Sequence, residues 1–82
     1  MYKPAAGVRW TVEREGVQVY FAGGAVFLRY PQAAVWDLLA RGQTVDEAIR
    51  KLRFIAALDP QAATQLVTDE CRQWCGQGLL DG

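Results

Sequence analysis

AVFLRYPQAAVWDLLA, residues 25–40, holds a strand and a helix with a single proline between them. Proline cannot donate to a β-ladder, so Pro31 closes a strand over Ala25–Tyr30, and its fixed φ suits the first turn of the helix that follows. Before this point the chain alternates with the period of a sheet. After it, apolar residues recur with the period of a helix. The strand is therefore the last of its sheet, and it lies at an edge beside a helical layer.

Upstream, Val8, Trp10 and Val12 alternate with Arg9, Thr11 and Glu13, then Val17, Val19 and Phe21 with Gln18, Tyr20 and Ala22. Glu15-Gly16 and Gly23-Gly24 fall between these runs and read as tight hairpin turns, the second using the positive φ that glycine permits. Three strands joined by two tight turns make an antiparallel meander, in which only the first and third are edges. In the third strand Arg29 is costly to bury, so Val26 and Leu28 are expected inward and Phe27 partly exposed.

Downstream, a first helix is expected over 32–40, with Val35, Trp36, Leu38 and Leu39 toward the core and Gly42 at its end. Thr44 followed by Glu47 is a capping box. It opens a second helix whose apolar stripe is Val45, Ala48, Ile49, Leu52 and Ile55. Asp59-Pro60 opens a third, over 60–75, with Ala63, Leu66, Val67, Cys71, Trp74 and Cys75 on one side. Leu79 and Leu80 are expected to fold back onto the sheet. The order is βββααα, an α+β domain of winged-helix type over residues 8–82, and residues 1–7 read as a flexible tail.

The totals fit one small domain. The chain has 82 residues, 51% of them hydrophobic, with three Trp, three Phe and three Tyr. A chain of this length buries only ~60–65% of its unfolded surface, so most of its apolar faces must be used. Nine basic and nine acidic residues cancel, which argues against a general polyanion binder. The opening MYKPAAGVRW lacks the apolar core of a signal peptide. No run reaches the ~20 apolar residues of a membrane span. A cytoplasmic location is expected.

The residue types that carry catalysis are scarce. Cys71 and Cys75 share one helix face, and without any histidine they fall short of a structural zinc set. They read as small core residues. Asp46/Glu47 and Asp69/Glu70 are helix neighbours that point in different directions, so neither pair converges on a substrate. No nucleophile–base constellation and no phosphate loop is present, so neither enzyme activity nor a cofactor is expected. A winged-helix outline raises DNA binding as an alternative, with the third helix as reader. Its charges, Asp69, Glu70 and Arg72, sum to minus one and would repel phosphates.

What remains is the third strand. An exposed edge presents unpaired N–H and C=O groups and accepts another strand. Two arrangements are open at this level: the third helix or the N-terminal tail covers that edge, or it is free for a guest peptide. The same margin can pair with a second copy of the chain.

The run VFLRYPQAAVWDLLARGQTVDEAIRKL, with a third helix ending QWCGQGLLDG, resembles the PqqD-like family of peptide chaperones, the recognition elements of ribosomally made, modified peptides. The likeness rests on Leu28, Val35–Leu39, Gly42 and Thr44, on Ala48, Ile49 and Leu52, and on Gly78, Leu79 and Leu80. It spans residues 17–82. The resemblance implies that the leader of a precursor peptide adds as a strand beside Val26, Phe27, Leu28, Arg29 and Tyr30. The other wall of its groove would be the third helix, with Leu66, Asp69, Glu70, Gln73 and Trp74 as candidates. It also implies delivery to a modifying enzyme, frequently a radical S-adenosylmethionine enzyme, whose cofactor belongs to that enzyme.

Overall fold

A computed structural model describes residues 1–82. The chain folds as β1 (Lys3–Pro4), β2 (Arg9–Glu13), β3 (Gly16–Phe21), β4 (Gly24–Arg29), α1 (Gln32–Ala40), α2 (Val45–Ile55), α3 (Pro60–Gly76) and β5 (Leu80–Asp81). β2, β3 and β4 form an antiparallel meander in that order, and three helices follow, the α+β class expected. β4 is the third strand of the sequence pattern. No helix is long and apolar enough to cross a membrane.

The stretch of residues 1–7, expected as a loose tail, is tied down. Lys3 and Pro4 pair with Asp81 and Leu80 as a second, two-stranded sheet, and the Ala5 N–H donates to the Leu79 carbonyl at 2.9 Å. Leu79 and Leu80 are buried as expected, but this short sheet receives their backbone rather than the meander.

Both hairpin turns lie one residue earlier than the glycines suggest. Gly16 pairs with Glu13 and Gly24 with Phe21, leaving Arg14-Glu15 and Ala22-Gly23 as the connecting pairs. Of the second glycine pair only Gly24 has a positive φ, +136°. Gly16 is required by space instead. A Cβ there would run into the Leu28 carbonyl oxygen and come within 2.9 Å of the Phe27 ring. The ladder has room at this point for backbone only.

The core lies between one face of the sheet and the helices. Val17, Val19 and Leu28 supply the sheet side. α1 is buried at Ala33, Ala34, Val35, Trp36, Leu38 and Leu39, and a helix apolar on so many sides belongs at the centre of its domain. Trp36 sits between Trp10 and Trp74, edge to face, with ring centroids at 5.9 and 5.3 Å. That geometry favours aromatic pairs beyond simple burial.

α2 begins at the expected capping box: the Glu47 N–H donates to Thr44 Oγ1 at 3.1 Å, and the Thr44 N–H donates to Glu47 Oε1 at 2.8 Å. Asp59 caps α3 by accepting from the Ala62 N–H at 2.8 Å. Three residues from the apolar faces of the sequence pattern lie outside the core. Val12, the penultimate residue of edge strand β2, is exposed. Ile55 is the last residue of α2, also exposed. Val26, placed inward by the pattern, is 36% exposed because the helix facing it stands off across a groove.

Candidate functional site: the β4–α3 groove

The pairing register settles which way each β4 amide points. A two-residue hairpin closes on a hydrogen-bonded pair, here Phe21 with Gly24, and such pairs alternate along an antiparallel ladder. Gly24, Val26 and Leu28 therefore bond to β3. Ala25, Phe27 and Arg29 turn their N–H and C=O groups outward. The β2–β3 ladder gives the same answer from the other side, since Glu13 and Gly16 close that hairpin. No strand of the chain pairs with the outer edge of β4.

Beside this edge runs a groove of about 320 Å³ lined by Val26, Phe27, Leu28 and Arg29, by Gln32, and by Glu70, Gln73, Trp74 and Gln77. The third helix does not cover the strand edge, and the tail is engaged with β5. One wall is thus open backbone, and the other is a polar helix face with an aromatic floor. Trp74 is only 2% exposed; its ring serves the core through Trp36 and reaches the groove with what remains.

Of the strand residues expected at the site, Val26–Arg29 line the groove and Tyr30 does not. Tyr30 borders a separate hollow of about 470 Å³ with Pro31, Ala34, Ile55, Ala56 and Leu58. Of the helix residues, Glu70, Gln73 and Trp74 line the groove. Leu66 is half-buried against the core, and Asp69 is exposed, accepting from Gln65 Nε2 at 2.8 Å. A three-to-four residue periodicity centred on the core puts Leu66 on the inner stripe and Asp69 outside it.

Gln32 and Gln77 were not anticipated. Gln77 continues the row that Glu70 and Gln73 begin, one residue past Gly76 at the end of α3. Gln32 is brought in by the sharp change of direction at Pro31. The helical row was available in the spacing; the Gln32 contact depends on the turn.

Burial, with the charge of Asp69 added, holds the Glu70 carboxyl above its ordinary value. Arg29 lies 5.6 Å from the centre of the Phe27 ring and forms no ion pair with Glu70; the chain's ion pair is Asp37–Arg41. Cys71 and Cys75 are free thiols. Burial, with Cys75 and Glu70 adding to it, pushes the Cys71 thiol up to about 11, so it is held as a neutral core group at pH 7. No three His, Cys, Asp or Glu side chains gather closely enough to hold a metal ion.

Comparison with protein-family models, with curated proteins and with solved structures finds no match for this chain.

Proposed function

We propose that this domain binds an extended peptide as an added strand on β4 and hands it to a modifying enzyme. The observation that carries the reading is the unpaired outer edge of β4, with the Ala25, Phe27 and Arg29 amides facing a groove that α3 walls off. Strand addition draws affinity from main-chain hydrogen bonds and selectivity from the pockets between. The resemblance to PqqD-like chaperones makes the guest the leader of a ribosomally made precursor. The enzyme would be of the radical S-adenosylmethionine kind, supplying its own cofactor. The exchange takes place in the cytoplasm, a compartment suited to two free thiols.

The energetics suit a carrier. Ordering a flexible leader costs ~2–5 kcal/mol. Strand hydrogen bonds at ~1 kcal/mol each and two or three apolar anchors at ~1.5–3 kcal/mol each exceed that. A net of about −8 to −10 kcal/mol corresponds to micromolar or tighter binding, which still permits release. DNA binding is the competing reading, and α3 offers it two carboxylates, Asp69 and Glu70, against Arg72.

The test is a titration followed by amide NMR, using a leader peptide encoded beside this gene. The expected result is a shift of the Ala25, Phe27 and Arg29 amides together with those of Glu70–Gln77. Duplex DNA should leave them in place. Saturable leader binding that moves α2 and spares β4 would overturn the proposal.

A further inference from the structure

We infer that Glu70 selects the guest: a strand carrying a lysine or arginine two positions from an apolar residue, both facing α3. The inference rests on strand addition at β4 and names the chemistry that this site takes. The helical wall consists of Glu70, Gln73 and Gln77, with Gln32 at the corner and Trp74 in the floor. Glu70 is its single charge. It makes no ion pair or side-chain hydrogen bond within the chain, although Arg29 lies on the opposite wall. Arg29 is instead held over the Phe27 ring.

A guest filling the groove would take Glu70 further from water. An apolar side chain opposite it would leave a carboxylate without solvent or partner, a costly arrangement. A cation resolves that cost and converts it into a charge-assisted hydrogen bond. The elevated Glu70 carboxyl has the same origin, since burial already disfavours its charge before any guest arrives.

The spacing follows from the two backbones. Side chains on an added strand alternate, so those facing α3 are two residues apart, about 6.6 Å. Glu70 on the helical wall and Trp74 in the floor are one helical turn apart, about 6 Å along the helix axis. A guest in line with the groove therefore meets Trp74 with one helix-facing residue and Glu70 with the next. The first is apolar and the second basic.

A display library of random extended peptides, selected on the full chain and on its Glu70→Gln and Phe27→Pro variants, tests this. The wild-type chain is expected to enrich peptides with a base two positions from an apolar residue. Glu70→Gln should retain strand binders but lose the preference for the base. In one selected peptide, changing the base to alanine should weaken wild-type binding roughly three- to tenfold and leave Glu70→Gln binding unchanged. The same sequences on wild type and Glu70→Gln would overturn the role of Glu70 while leaving strand addition standing. Selected peptides that bind Phe27→Pro as tightly as wild type, or a library that yields no binders, would overturn both.

Discussion

Proline scanning along β4 separates the two edges of a single strand. At Phe27, whose N–H points away from β3, proline removes one donor from the free margin and none from the sheet. A guest would lose a bond of about 1 kcal/mol, and its carbonyl would be left unsatisfied at a further ~1–3 kcal/mol. Together that is about 2–4 kcal/mol, or roughly thirty- to a thousandfold in Kd, enough to abolish micromolar binding. At Val26 or Leu28 the same residue breaks a bond to β3, and the cost, about 2–4 kcal/mol for the lost bond and the carbonyl left unsatisfied, falls on the fold itself. Thermal unfolding separates the classes: Phe27→Pro should melt near wild type and Leu28→Pro well below it. Tryptophan fluorescence reads the binding, because Trp74 lies in the groove floor. A Phe27→Pro chain that is folded and binds leader with wild-type affinity would refute strand addition.

Further outcomes are expected at Gly16, at the α2 cap, at Glu70 and at Trp36. Gly16→Ala drives a methyl into the Leu28 carbonyl and the Phe27 ring, and should lower stability in urea by about 1–3 kcal/mol. Thr44→Ala removes the α2 cap, costing about 1 kcal/mol, which lowers Tm by about 4–8 °C in a domain this small. Backbone and side-chain hydrogen bonds from Thr44 hold the Glu47 carboxyl below its ordinary 4.5. That contribution is intact above 4.5 and vanishes as pH falls through the lower folded value, so acid titration by circular dichroism should show wild type and Glu47→Gln converging. Glu70 acts in the opposite sense, disfavouring the fold as pH rises through the range above its ordinary 4.5. Finally, Trp36 Nε1 is buried with no hydrogen-bond partner. Trp36→Phe removes that polar group and should cost well under the ~3–5 kcal/mol of Trp36→Ala, as measured by chemical unfolding.

Much of this architecture was legible because local signals and the global fold agree. Thr44 with Glu47 and Asp59 with Pro60 mark helix starts by chemistry that acts within one turn, and each stands at the start of its helix. Alternation sets Val17 and Val19 on one face, and the cost of burying Arg29 turns Leu28 inward. The failures concern distances between elements. Alternation puts Val26 on the same face as Leu28, but cannot say that α3 stops short of it. Gly16 looked like a turn residue because a close backbone approach and a hairpin both call for glycine. The pairing of Lys3–Pro4 with Leu80–Asp81 joins the two ends of the chain, a contact for which so short a strand has no periodicity to read.

The groove stays open for a reason visible in α3. Trp74 is drawn inward by Trp36 at 5.3 Å, which fixes the rotation of the helix and turns Glu70, Gln73 and Gln77 toward β4. Were those residues leucine, the helix would gain by closing onto the strand, and the margin would be sealed. As they stand, closure would strip water from a carboxylate and two amides while the outward amides of Ala25, Phe27 and Arg29 lost theirs as well, with no matching geometry between helix and strand. A guest strand relieves both walls at once, because its backbone supplies the missing ladder partners and its side chains reach the polar row. If Glu70, Gln73 and Gln77 were all changed to leucine, the chain should become more stable and lose leader binding, read by urea unfolding and by titration on the same sample. A triple variant that melts no higher and binds undiminished would show that the polar wall has no part in keeping the edge free.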